Sequence, residues 1–332
     1  MMLLVLGSLL APALAQEGVN HAPADTTVPG GPVAAGNPPL FDLDRTVAEA
    51  IRLRQTGDLR GATALLEGLG GLVPPDALGW WLYQRGICAE LQWQFTEARA
   101  LYEDVVARNG DHVADARFRL ALVLEDLGDP DGALLQMQAL ARLNGFDEDD
   151  RLTLALQQGI SWVNTGKVRR GTRALEEALA RAPADGRQSW ILAKARYTLV
   201  ARQLADADHL ALTGGEARVV KRLKRRIAAI QAAERAITVL VGLAEPEWIV
   251  ASMRALGDSW QRLGDDLVAA PPPPRLTAAE AAIYRQSLLP YAENARTKAF
   301  HYWDAGVQLA HRLNFESPKV QALKERRDSI GR

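Results

Sequence analysis

A unit of about 35 residues recurs four times between residues 53 and 183, and a recurrence of that period belongs to stacked supersecondary units. The four segments are "LRQTGDLRGATALLEGLGGLVP" (53–74), "ELQWQFTEARALYEDVVARNG" (90–110), "EDLGDPDGALLQMQALARLNG" (125–145) and "VNTGKVRRGTRALEEALARAP" (163–183). Aligned on their turns, each places a small residue just after the turn: Ala62, Ala98, Ala133 and Gly171, at steps of 36, 35 and 38 residues. Four residues on stands a large apolar side chain, Leu66, Tyr102, Met137 or Leu175. Three further on come Leu69, Val105, Leu140 and Ala178. Spacing of i, i+4, i+7 keeps one helix face apolar. Before each of the last three turns lies another helix with its own small residue, at Gly86, Ala121 and Gly159. Small residues on both members let the helices of a pair approach closely, so the pattern predicts an all-α chain of stacked hairpins.

The flanks bound the rest. "MMLLVLGSLLAPALA" (1–15) is apolar, ends in a small-x-small pattern and reads as a signal peptide cleaved before Gln16, although no Lys or Arg precedes it. It is too short to span a bilayer, which needs about 20 apolar residues. Residues 16–42 follow as a linker, with five prolines and four glycines between 16 and 40. Such a segment buries too little apolar surface to offset its ordering entropy. No cysteine follows the apolar run, and the single Cys88 has no internal partner. The expectation is a periplasmic protein that is neither a lipoprotein nor disulfide-stapled, with Cys88 a small core residue. A formal net charge of -1 argues against a general nucleic-acid binder.

The hairpin pattern resembles the tetratricopeptide repeat (TPR). Its motif positions are Gly57, Ala62 and Pro74 in the first unit, Gly86 and Ala98 in the second, Ala121, Gly128 and Ala133 in the third, and Gly159, Gly166, Ala178 and Pro183 in the fourth. Units two and three depart at the closing proline, where Gly110 and Gly145 stand, and the second has Trp93 at its turn where glycine is usual. The resemblance implies an α-solenoid whose first helices line a concave surface for an extended peptide or partner helix. Carried over by position, that groove would take Arg54 and Gln55 from the first unit and Tyr83, Ile87 and Glu90 from the second. The third would supply Phe118, Leu122, Glu125 and Asp126, and the fourth Leu156, Ile160 and Asn164. Glu90, Glu125 and Asp126 would make the middle acidic, which suits a partly basic, amphipathic partner.

Beyond Pro183 the elements lengthen. Helices are predicted over 188–212, 215–243 and 245–270, as larger TPR-like pairs (184–270). A polyproline bridge (271–276) comes next, with "PPPP" stiff and extended. Helices then fill 277–332, beginning at a capping box of Thr277 and Glu280 and kinked at Pro290. Pro246-Glu247-Trp248, Gly257-Asp258, "APPPPRLTAAEAAIYRQSL" and Ala299 to Ala305 make this part similar to deltaproteobacterial TPR proteins associated with gliding-motility envelope complexes.

One helix carries unusual charge. In "RVVKRLKRR", Arg218, Lys221, Arg222 and Arg225 share a face, with Lys224 and Arg226 beside them. Val220, Leu223, Ile227, Ile230, Ile237 and Val241 form a packing seam interrupted by Glu234. The basic stripe could dock on an anionic membrane or an acidic protein, or be a solvated face. The tryptophans are expected as packing residues, with Trp93, at its turn, the candidate for exposure.

Chemistry is hard to find. No two of His21, His112, His209, His301 and His311 stand at i, i+3 or i+4, and none pairs with a cysteine, so no metal is expected. The acidic run at 146–151 lacks a calcium loop's glycine and spacing, and Asp147 or Asp149 would cap the next helix. No nucleophile elbow, phosphate loop, dinucleotide or zinc-protease motif is present, so neither a catalytic residue nor a cofactor is expected. The function expected is a non-catalytic protein–protein scaffold of the bacterial cell envelope, possible partners being envelope proteins. The alternatives are an adaptor docking through 218–226 and an accessory domain of a cell-wall enzyme system.

Overall fold

The computed structural model describes residues 43–182, 188–274 and 276–330. The signal-peptide and linker expectations, and the closing Pro183 of the fourth unit, lie outside the described residues. Leu43 onward forms one compact unit. Among the described residues there are thirteen α-helices and no strand. In chain order they are α1 (Leu43–Gln55), α2 (Leu59–Gly68), α3 (Leu78–Leu91), α4 (Phe95–Arg108), α5 (Val113–Asp126), α6 (Pro130–Leu140), α7 (Glu148–Asn164) and α8 (Val168–Leu179). Then follow α9 (Ser189–Asp208), α10 (Glu216–Gly242), α11 (Pro246–Ala269), α12 (Ala278–Arg312) and α13 (Pro318–Ile330).

The helices begin and end where local chemistry says they should. Asp58 and Asp129 accept hydrogen bonds from the N–H of Gly61 and Gly132, each at 2.9 Å, and cap α2 and α6. Asp147 caps α7 by accepting from Asp150 N at 2.8 Å. Thr277 and Glu280 close a full capping box on α12, which continues helically through Pro290. Three hairpin turns place a glycine in the left-handed region, Gly57 at φ 88°, and Gly128 and Gly166 at 78°. That conformation costs a side chain energy and costs glycine little.

Sequence neighbours pack in pairs, α1 on α2 through α7 on α8, and each hairpin stacks on the next. Ala62, Ala98, Ala133 and Ala178 are fully buried at the crossings. The fourth hairpin is tighter still. A Cβ on Gly171 would lie 2.7 Å from both the carbonyl oxygen of Gly159 and the backbone N of Val163. This answers why glycine stands where the other hairpins carry alanine: α7 and α8 touch backbone to backbone there. Cys88 is buried, and burial pushes its thiol pKa up, as a core cysteine's should be.

After α8 the pairing changes. Besides its neighbours, α9 packs on α7 and α11, and α11 packs on α13, while α11 and α12 form the most extensive pair. The seam of α10 buries Ile230 and Ile237 against this C-terminal core. Glu234, the charge interrupting that seam, accepts from Tyr302 OH at 2.8 Å and Trp260 Nε1 at 3.2 Å. The chain is thus an all-α solenoid of TPR-like hairpins with a longer-helix C-terminal extension.

Candidate partner-binding groove

The first helices α3, α5 and α7, joined by Trp190 of α9, enclose an open cavity of about 510 Å³. Helical periodicity brings Tyr83, Glu90, Phe118 and Leu122 onto its wall, four of the residues placed there from sequence. Tyr83 stacks on His112, centroids 5.6 Å apart and planes within 8°. Phe118 meets Trp190 edge-on at 6.1 Å. Between these aromatic pairs lies a polar floor. Arg119 donates to Tyr83 OH at 3.2 Å and to Glu90 Oε2 at 3.1 Å, and Tyr102 OH donates to the same carboxylate oxygen at 2.7 Å. Burial lowers the tendency of Arg119 to hold its proton, but Glu90 and the two tyrosines more than reverse that and raise its pKa. Burial first, then Glu90, raises the pKa of Tyr102. The floor is therefore a neutralised ion pair that fixes the spacing of α3, α4 and α5. Further acidic charge sits at the lining's edge, on the exposed Asp150 and on Asp115, whose Oδ2 lies 4.0 Å from His112 Nδ1.

Further along, a second cleft of about 340 Å³ holds Glu125, Asp126 and Asn164 with Lys194, Trp248 and Lys319. Lys194 Nζ donates to Glu125 Oε2 at 2.7 Å, and Ser161 Oγ to Glu125 Oε1 at 3.0 Å. Lys319 on α13 bridges Asp126, at 3.7 Å, and Glu247. Both ammonium groups also lie over the Trp248 ring, Lys319 at 4.9 Å and Lys194 at 5.7 Å.

Several expectations are corrected by this geometry. The acidic middle is not free: Glu90, Glu125 and Asp126 each carry a basic partner, two of them supplied by C-terminal helices. Ile87, Leu156 and Ile160 offer little surface, being at most 7% exposed; Leu156 and Ile160 belong to the core between α7, α8 and α9, and Ile160 only borders the second cleft. Arg54 spans to the next hairpin, donating to Gln84 Oε1 at 2.7 Å, and Gln55 is exposed away from both clefts. Arg226 leaves the basic patch altogether. It is completely buried and paired with Asp208 and Asp266. Arg218, Lys221, Lys224 and Arg225 are exposed on α10, whereas Arg222 is half-buried and donates to the carbonyls of Ala211 and Thr213.

Sequence reasoning missed Arg119, His112, Phe146 and Trp190. A signal for Arg119 was present, since it stands one repeat (36 residues) after Tyr83, which it touches. Trp190 carried none, because it lies on a helix outside the repeat. Among the described residues no group of three or more His, Cys, Asp or Glu is placed to hold a metal, and no helix is long and apolar enough to cross a membrane.

The chain matches no protein-family model and no curated protein. Among solved structures it is similar to YrrB, described as a TPR protein with an unusual peptide-binding site, at 20% identity and a TM-score of 0.40 over 60% of this chain and 91% of that one. It is also similar to the C-terminal part of a TPR repeat-containing protein from Cytophaga hutchinsonii, at 16% identity and a TM-score of 0.37, over 83% of this chain and 98% of that one. A TPR repeats protein from Bacteroides fragilis follows at 14% identity and 0.32, over 76% and 97%.

Proposed function

We propose that this chain is a non-catalytic scaffold that holds a protein partner in the cavity formed by α3, α5 and α7. The observation that supports this reading is an open, aromatic-walled cavity whose floor charges are already paired. A partner side chain entering it meets no uncompensated charge, and apolar contact with Phe118, Leu122 and Trp190 supplies the driving force. Exposed Asp115 and Asp150 favour a partner with a cationic residue beside its apolar anchors. The setting we propose is the periplasm, in an envelope complex such as one serving motility. The apolar start at residues 1–15 and the resemblance carried by residues 246–305 support it.

The test is a pull-down from the envelope fraction with residues 16–332, read by mass spectrometry, beside a Tyr83→Ala/Phe118→Ala variant. Partners enriched by the parent and lost by the variant, with unchanged helicity by circular dichroism, are the expected result. Retention of every partner by the variant overturns the reading.

A second reading has its own observation. Arg218, Lys221, Lys224 and Arg225 are exposed, and none has an acidic partner among the described residues. Such a face suits an anionic surface, each cation adding roughly 1 kcal/mol near anionic lipid. Lys221→Glu/Arg225→Glu is expected to abolish sedimentation with phosphatidylglycerol vesicles at low salt and to leave groove partners bound. Equal sedimentation of parent and variant sinks this reading.

A further inference from the structure

Trp93 stands in the turn between α3 and α4 with φ 62°, at the place where the other three hairpin turns carry glycines at φ 78–88°. It is the only aromatic residue with such backbone among the described residues. A left-handed conformation is costly for a residue with a Cβ, and a bulky aromatic has no local hydrogen bond to compensate, as Asn or Asp would. The ring is not held there by burial, since 40% of the residue is exposed. Phe95 meets it edge-on at 6.0 Å, which fixes the plane of the indole without covering its face. Strain kept at an exposed position for so little packing in return is a mark of use.

The surroundings say what use. Trp93 lines a shallow cavity of about 630 Å³ between the turns of the first two hairpins, with Asp58, Arg60, Leu91, Gln92 and Gln94. Asp58 spends one carboxylate oxygen on capping α2, and Gln92 spends its amide N–H on Thr63 Oγ1 and the Cys88 carbonyl. Arg60 and Gln94 are exposed, and their side chains make no hydrogen bond or ion pair with the described residues. One flat ring framed by carboxylate, guanidinium and carboxamide groups is the complement of a molecule with an apolar face and a polar edge. An apolar protein anchor would leave those polar groups desolvated and unpaired, which is unfavourable. From this geometry we infer that the cavity binds a glycan, a chain of β-linked pyranoses with equatorial hydroxyls. The axial C–H face of one sugar stacks on Trp93, and its hydroxyls bond to Asp58, Arg60, Gln92 and Gln94. The site is separate from the groove of α3, α5 and α7 and shares none of its residues.

The full chain, ¹⁵N-labelled, is titrated with cellotetraose and in parallel with chitotetraose. The Trp93 indole N–H, assigned by its loss in Trp93→Gly, is expected to shift with at least one of them. In calorimetry Trp93→Gly should bind that sugar roughly tenfold more weakly or worse. The same variant should keep its helicity and melt about 1–3 °C higher, because glycine relieves the turn. Gln94→Ala, which leaves the ring in place, should bind more weakly without a change in melting. No shift with either sugar overturns the proposal, as does unchanged binding by Trp93→Gly. A lower melting point for Trp93→Gly also overturns it, by showing that the ring is packing.

Discussion

Replacing Arg226 with alanine is expected to cost about 3–5 kcal/mol, read as a shift of the urea unfolding midpoint. Arg226 is fully buried between α9, α10 and α11, with Nη2 at 3.3 Å from Asp208 Oδ1 and Nη1 bonded to Asp266. Asp208 is the group that makes the loss severe. Only 7% of its side chain is exposed, and it also accepts from Ser259 Oγ at 2.7 Å and Arg262 Nη1 at 3.1 Å. Without Arg226 a carboxylate stays in the interior with a single cation, and that one lies on the exposed side of the cluster. Asp266 is 45% exposed and loses little. The same physics predicts a rescue: Arg226→Met with Asp208→Leu removes both buried charges together and should recover most of the stability. A loss below about 1 kcal/mol in Arg226→Ala, the usual range of an exposed pair, would show that the cluster is no more than that.

Trp303→Ala should destabilise the C-terminal core by a similar amount, about 3–5 kcal/mol. The indole is 2% exposed and lies directly on Gly257, so that a Cβ there would overlap the ring. Its Nε1 donates to the Arg254 carbonyl at 3.4 Å. Truncation leaves a cavity walled by α11 on one side, and backbone as close as Gly257 cannot collapse into it. The partner change makes the assignment specific. Gly257→Ala should be destabilising on its own by overpacking, and less so in a Trp303→Phe background, where the smaller ring leaves room. Additive losses in the double variant would mean that the two residues do not meet as described.

The hairpins were legible because their determinants are local. Gly57, Gly128 and Gly166 mark turns, Asp58 and Asp129 mark caps, and Ala62, Ala98 and Ala133 repeat at one period, all within a window that a helix pair spans. The bounds of α9 to α11, and the capped start of α12, were also close to those expected from periodicity and capping. What stayed hidden depends on partners distant in sequence. Glu125 and Asp126 read as free acids because nothing near them says that Lys194 and Lys319 will arrive from C-terminal helices. Arg226 read as one more cation in a basic run, since only its position on the helix, turned inward beside Ile227 and Ile230, distinguishes it from Arg225. Ile87, Leu156 and Ile160 were placed in the groove by position in the repeat, but stacking of the next hairpin, not position alone, decides whether such a side chain is a surface. Trp93 was visible as an oddity, and its backbone angle made the oddity quantitative.

The bridge from Lys319 to Asp126 and Glu247 changes what kind of object the solenoid is. An array held only by nearest neighbours behaves as a spring: each hairpin can tilt a little, and the groove widens or narrows as the tilts add. Here α13 reaches back to the third hairpin through the ion pair of Lys319 with Asp126. Tilts between α5 and α11 are then no longer independent, and the curvature presented to a partner is set partly by a side chain outside the cavity of α3, α5 and α7.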